Sequence, residues 1–215
     1  HNEVRVYDIV PEKRTHSLEE VLQADIVFVA LPTPTTGEKL DTQYLDEFFG
    51  SLPKPQGALF VIKSTVPVGT TDRYRRELGL DIVHSAEFLT ARAAVADFQC
   101  PSQNTIGVPD NVRHIPALQW NKLHVLYLKR FPGVPVRIMS ARSSELAKIS
   151  LNTLFKLKVI SHNLVYFACK EAEADFEGEV EGLLLADADG LTLDVVLGDA
   201  DPLGEVDDEA LSLVL

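Results

Sequence analysis

The stretch 59–98, LFVIKSTVPVGTTDRYRRELGLDIVHSAEFLTARAAVADF, constrains the fold more than any other part of the chain. Two short apolar runs, Leu59–Ile62 and 81–84, flank a basic segment, 71–78, that reads as a helix ended by Gly79. Strand, helix and strand at this spacing predict an α/β fold with a parallel sheet. Each apolar run then stops at polar groups: Lys63-Ser64-Thr65 after the first, Ser85-Ala86-Glu87 after the second. In an open parallel sheet, ligands bind where strands end at their carboxyl side, so the two tips could share one crevice. The plainer reading of Ser64 to Thr71 is an ordinary loop with a helix cap at Thr70 or Thr71, ahead of Asp72.

The remaining elements follow the same alternation. Residues 4–10, VRVYDIV, read as a strand leaving Asp8 near its carboxyl tip. An acid there can accept hydrogen bonds from adenosine ribose hydroxyls, about 20 residues after a G-x-G-x-x-G turn. That motif does not occur in the sequence; if Asp8 is such an acid, the motif lies before His1. By itself Asp8 is an acid at a strand end before Pro11. Ser17 and Glu20 have capping-box spacing at the start of a short helix. Residues 25–31, DIVFVAL, are branched and apolar, as in a fully buried parallel strand, and lead into Pro32-Thr33-Pro34, which holds Thr33 extended at the strand mouth. A helix is expected over 42–50, the last two strands over Asn104–Val108 and 134–139, and a helix over 115–131 in which Trp120 packs.

The run 144–172 contains no Gly or Pro and reads as one helix about 43 Å long. Most of its circumference is apolar, as in a helix buried between domains or subunits. A polar stripe survives at Glu145, Lys148, Asn152 and Lys156, with Asn163 further on. Lys148 and Asn152, four apart, are neighbours on that surface. A lysine snorkelling beside a helix asparagine is the ordinary account of such a pair.

Charge narrows the partners. The net charge is −12, but 171–215 holds fifteen Asp and Glu and no Lys, Arg or His, so the preceding 170 residues carry about +3. Binding nucleic acid requires basic clusters, which are missing, so nucleic acid is not an expected partner. The acidic end reads as a solvated face or a partly disordered segment. Cys100 and Cys169 form no disulfide framework and no metal-ligand spacing; buried thiols are expected, and no metal. No apolar run approaches the ~20 residues that cross a bilayer, and no signal peptide opens the chain. No membrane partner and a cytoplasmic address are expected.

Four motifs, VFVALPTP (27–34), IKSTVPVGTT (62–71), SAEFL (85–89) and SELAKISLNTL (144–154), resemble the UDP-glucose/GDP-mannose dehydrogenase family in order and spacing. The resemblance covers roughly residues 3–163, about three quarters of the chain. It implies oxidation of the C6 alcohol of a nucleotide sugar, UDP-glucose-like, to the carboxylate, in two steps with NAD and with a cysteine that captures the aldehyde as a thioester precursor. On matched positions, Asp8 and Lys13 contact the cofactor's ribose and adenosine phosphate, while Thr33 and Thr65 face the cofactor. Lys148 would stabilise a developing oxyanion, Asn152 would hold the reacting oxygen, and Glu87 with Thr65 would orient and help deprotonate water. Glu87, Phe88, Leu89, Lys148 and Asn152 make up the implied substrate site. The implied assembly is a homodimer through the helix 144–172.

The sequence also departs from the family. Ala91 stands where a second glutamate is commonest, and beyond Ala172 neither a Gly-rich loop with a nucleophilic cysteine nor Pro-Lys-Asp is found. Cys169, inside the helix, is no substitute. The expected fold is therefore a Rossmann-like parallel sheet lacking its first strand, followed by a long central helix and a divergent acidic C-terminal segment. The expected division is a partial NAD-binding domain at 1–140, the helix at 141–175 and the acidic remnant at 176–215. This polypeptide alone is expected to produce no NADH from NAD and UDP-glucose, because losing a nucleophile that carries the intermediate costs many powers of ten in rate. A non-catalytic dimerisation or regulatory module derived from the same family is the alternative.

Overall fold

The computed structural model describes residues 3–37, 39–53, 57–89, 93–109 and 120–176. The chain divides into two compact units, with the division between Ser150 and Leu151. In the first unit, β1 (Ile26–Val29), β4 (Leu59–Ile62), β5 (Ile82–His84), β6 (Asn104–Val108) and β7 (Val136–Ser140) form one sheet in the order β1-β4-β5-β6-β7. A small antiparallel pair, β2 (Thr35–Thr36) and β3 (Lys39–Leu40), leaves the mouth of β1. The helices are α1 (Leu18–Val21), α2 (Gln43–Ser51), α3 (Thr70–Leu78), α4 (Ala94–Gln99), α5 (Trp120–Arg130) and α6 (Ala141–Glu171).

The pairs β1/β4 and β4/β5 are parallel, so the tips after all three strands lie at one end of the sheet. The sheet is not parallel throughout: β6 runs against β5, paired at His84 and Gly107, and β7 runs parallel to β6. Strand direction is set by the connections, and no local residue pattern before β6 marks the reversal.

β4 is buried at all four positions because both faces of the sheet are covered. Phe60 and Ile62 point into a cluster with Leu45, Phe49 and Tyr74 from α2 and α3. Leu59 and Val61, one residue out of phase, face Leu123, Tyr127 and Phe131 on and after α5. This two-residue alternation is what lets one strand serve two layers. β1, paired on one side among the described residues, is only half-buried at alternate positions, not the fully buried strand that 25–31 suggests.

Residues 4–10 form no strand. A strand persists through a ladder of paired amides, and here the polar groups are spent locally instead. The Val6 carbonyl accepts from the Thr15 and His16 amides, the Arg5 guanidinium donates to the Glu20 carbonyl, and the Asp8 carboxylate accepts from the Val10 amide. A short 3₁₀ turn, Pro11–Lys13, follows. The capping box at α1 forms as expected, the Ser17 hydroxyl accepting from the Glu20 amide and the Glu20 carboxylate from the Ser17 amide.

Gly79 ends α3 in the left-handed region at φ 68°, where a residue with a Cβ is strained. Trp120 packs against the second core cluster. The helix expected at 115–131 runs over Trp120–Arg130, its first residues lying outside the described set. The acidic segment from 177 on likewise lies outside it. Cys169 is buried but Cys100 is exposed, contrary to the expectation of two buried thiols; the short α4 ends at Cys100 and leaves it uncovered. Among the described residues, no helix is long and apolar enough to cross a membrane, and no cluster of potential metal ligands exists.

Candidate active site

Three strand ends and one helix meet in the first unit. After β1, the Thr33 hydroxyl donates to the Thr65 carbonyl at 2.7 Å, and the Ser64 hydroxyl donates to the Leu31 carbonyl at 2.6 Å. The β1 and β4 tips are therefore tied together by two side chains that the parallel register brings level. After β5, the Glu87 carboxylate lies 3.9 Å from the Lys63 ammonium. From α6, the Lys148 ammonium donates to the Glu87 main-chain carbonyl at 2.6 Å and sits 5.7 Å from the Phe88 ring centre. Thr33 and Thr65 thus form one linked pair, and Lys63, Glu87, Phe88 and Lys148 a second set of contacts drawn from two strand tips and α6. Leu89, half-buried, continues the β5 tip.

Other expected site residues are placed elsewhere. Asp8 turns onto the Val10 amide, and Lys13 ends the 3₁₀ turn. Beside them a hollow of about 450 Å³ is lined by Pro11, Arg14, Thr15, His16, Ser17 and Glu20. Its size suits a small molecule, and its guanidinium, imidazole and hydroxyls are groups that recognise phosphate and ribose. Asn152 lies beyond the division of the chain, four residues after Lys148 on α6.

Four residues, Lys63, His84, Ser144 and Glu145, have roles that the sequence did not assign. His84, completely buried, closes β5. Its Nε2 lies 3.3 Å from the Ser64 carbonyl, which can only accept, so Nε2 carries the proton and Nδ1 accepts from the Ser144 hydroxyl at 2.8 Å. Burial holds the imidazole down at a pKa of about 4, against the Ser64 bond, with help from the charges of Lys63 and Lys148. Burial also pushes Lys63 down to about 8, opposed by Glu87 and reinforced by Lys148. Lys148 is lowered by burial too, with Glu87 opposing. Glu145 is fully buried and accepts from the Gly69 amide at 2.5 Å, the Thr71 amide at 2.8 Å and the Thr71 hydroxyl at 2.6 Å.

Glu145 therefore caps α3 from another helix. The local cap expected at Thr70 or Thr71 does not form, because Gly69, left-handed at φ 94°, is the N-cap and the Thr70 hydroxyl turns back to the Pro67 carbonyl. A carboxylate suits this position, where unpaired amides and the helix dipole favour negative charge. Signals for these residues existed: Lys63 opens the first polar tip, His84 immediately precedes the second, and Ser144 and Glu145 open the fourth motif.

The histidine has a measurable consequence. Its folded pKa lies below the unfolded value, so its contribution to stability is present above pH 6.5 and is lost as pH falls toward 4. The loss is expected to be on the order of 3 kcal/mol. Urea denaturation of the wild type and of His84→Gln at pH 7 and pH 4.5 should show a shallower acid-side decline in the variant.

Residues 12–128 match the family model for the NAD binding domain of the UDP-glucose/GDP-mannose dehydrogenase family, more than half of the chain. The chain belongs to this family. Its parallel β1-β4-β5 portion with covering helices is the corresponding Rossmann-like layout, and the cofactor of the family's matched domain is NAD. Among curated relatives, the UDP-glucose 6-dehydrogenase of Rhizobium meliloti is 30% identical over 177 residues, covering 76% of this chain and 39% of that protein. The Bos taurus UDP-glucose 6-dehydrogenase is 26% identical over 178 residues, covering 74% and 35%. The chain thus spans less than two fifths of the length of these two relatives. Among solved structures, a UDP-glucose dehydrogenase from Pyrobaculum islandicum superposes with a TM-score of 0.65 at 28% identity, over 80% of this chain and 41% of that one.

Proposed function

We propose that this domain serves the NAD-dependent oxidation of a nucleotide sugar of the UDP-glucose type, at the C6 alcohol. The supporting observation is the Lys148 ammonium at 2.6 Å from the Glu87 carbonyl, beside the linked Thr33 and Thr65 tips. A half-buried cation held in place by a main-chain carbonyl is suited to a developing alkoxide, since it needs little reorganisation when charge appears. Glu87 and Thr65 would orient water, and Phe88 and Leu89 would border the sugar. Asp8 would accept from ribose hydroxyls, Lys13 and the adjoining hollow would receive the adenosine phosphate, and Thr33 and Thr65 would border the remainder of the cofactor. NAD supplies the hydride acceptor when bound. Asn152 enters this reading through family resemblance alone. A cytoplasmic setting, where NAD and nucleotide sugars are available, accords with it.

Binding tests the proposal without requiring turnover. NAD is expected to quench or enhance the fluorescence of Trp120, the chain's single tryptophan, and calorimetry should detect UDP-glucose. Lys148→Met should weaken the nucleotide sugar by about tenfold, the scale of one charged hydrogen bond, and change NAD affinity less than twofold. A folded chain that binds neither compound would refute the proposal.

The second reading is a dimerisation or regulatory module. Within the second unit, α6 exposes Leu157, Ile160, Leu164 and Phe167 at 55%, 55%, 66% and 59%, an apolar stripe at helical spacing. A homodimer through this helix is proposed under either reading. Sedimentation should show a dimer that Ile160→Glu with Leu164→Glu dissociates; a dimer that ignores NAD and nucleotide sugars favours the second reading.

A further inference from the structure

Lys63 is an unusual place for a charge. It follows the fully buried β4 and its side chain is only 9% exposed, whereas lysines are almost never buried without a partner. Its partner is the Glu87 carboxylate at 3.9 Å, which is itself 35% exposed. The second ammonium, Lys148, reaches Glu87 as well, but through the main-chain carbonyl. One carboxylate therefore acts on two cations, with Lys63 the one its oxygen approaches to 3.9 Å. Lys148 retains donors for another oxygen, because an ammonium carries three and the Glu87 carbonyl takes one.

Among the described residues, the other titratable groups facing this cluster are His84 on β5 and Tyr127 on α5. His84 feels both lysines and is held neutral above pH 4, with its two nitrogens occupied by Ser144 and Ser64. Tyr127, whose hydroxyl pairs with that of Ser85 at 2.7 Å, is pushed up to about 12 by burial and feels Glu87. Neither changes charge between pH 6 and 10, so within that window the balance rests on the two lysines and Glu87.

We propose that Lys63 is a positioning residue that draws the Glu87 carboxylate toward β4 and thereby keeps the Lys148 ammonium available to an oxygen of the ligand. When Lys63 is neutral or removed, the carboxylate has a single cationic partner, turns to Lys148 and masks it. This rests on the proposed reading that the site receives a nucleotide sugar, whose reacting hydroxyl is the oxygen in question. The side-chain geometry on which it depends, a Glu87 carboxylate 3.9 Å from the nearly buried Lys63 while Lys148 is held through the Glu87 main-chain carbonyl, is independent of that reading.

The test has two arms on the 215-residue chain. In the first, calorimetry follows UDP-glucose affinity from pH 6.5 to 9.5. The wild type is expected to weaken by about tenfold as pH rises through about 8, the value to which burial lowers Lys63. Lys63→Arg, which stays charged, should abolish that step and keep the tight affinity; Lys63→Met should be weak throughout and equally flat. A step that persists unchanged in Lys63→Met overturns the proposal. In the second arm no ligand is used: NMR of isotopically methylated lysines follows the titration of Lys148. Lys63→Met should raise its pKa by more in the wild-type background than in Glu87→Gln, because only the former has a carboxylate to turn. An equal rise in both backgrounds overturns the proposal. Failure of every variant to bind the sugar nucleotide counts against the functional reading, and the second arm then decides the role of Lys63.

Discussion

Replacing Gly107 by alanine is expected to destabilise the fold by about 3 kcal/mol, the upper part of the range for overpacking a tight core. A Cβ at this position would lie 2.5 Å from the Ser144 Cβ and 3.0 Å from the Ala141 Cα. The second contact is backbone, in the first turn of α6, and cannot be relieved by rotating a side chain. Moving α6 away would also stretch the Ser144 bond to His84 and shift Lys148, one turn on. Urea denaturation should therefore show the midpoint falling by about 1–2 M, given slopes of a few kcal/mol per M. Ser144→Gly placed on Gly107→Ala should recover part of the loss, since it removes the closer contact and leaves the Ala141 one. An alanine variant as stable as the wild type would mean that α6 does not pack this closely on β6.

Glu145→Ala is expected to cost a comparable amount, about 3 kcal/mol, through a different cause. Removing the carboxylate leaves the Gly69 and Thr71 amides and the Thr71 hydroxyl without their acceptor, in a place with no exposed surface at Glu145 to admit water freely. Each buried donor left unsatisfied costs about 1–3 kcal/mol, and loss of a helix cap alone costs about 1. Glu145→Gln should lose less, because the amide oxygen can still accept from Thr71 while the NH₂ group opposes the Gly69 amide. The pH dependence separates charge from shape. Burial raises the Glu145 pKa, with the bonds from Thr71 and Gly69 opposing, so its contribution is full below 4.5 and declines as pH rises through the folded value. The advantage of wild type over Glu145→Gln should accordingly shrink between pH 4 and 7, which chemical denaturation of both can measure. An advantage that grows over that interval would contradict a raised pKa.

These two positions share a cause. Gly107 lets the start of α6 approach β6, and Glu145 fastens the same turn to α3, whose preceding loop carries Thr65. Lys148 is aimed at the β5 tip by a helix anchored on both sides. Exchange of the Thr71 amide is expected to be slow in the wild type and much faster in Glu145→Ala.

Much of the layout is legible in the sequence. The apolar runs that became β1, β4, β5, β6 and β7 are local signals, as are the Ser17 capping box and Gly79 at the end of α3. Their physics is contained within a few residues: alternation decides which face is buried, and a left-handed glycine stops a helix. Four motifs in order were enough to indicate the family.

Residues 4–10 show the limit, since their alternation is that of a strand, yet pairing requires a neighbour, and here the Val6 carbonyl is engaged by the Thr15 and His16 amides and the Arg5 guanidinium by the Glu20 carbonyl. The reversal at β6 and the exposure of Cys100 were equally hidden, being consequences of connections and coverage. By sequence alone this protein is an α/β chain with polar strand tips and a long glycine-free helix, because spacing and composition act over short range. Tertiary structure alone decided that Glu145 caps a helix 74 residues away and that the Glu87 carboxylate lies 3.9 Å from the Lys63 ammonium. Partner choice for a buried charge depends on which desolvated groups the fold brings within a few ångströms, and no local pattern encodes that distance.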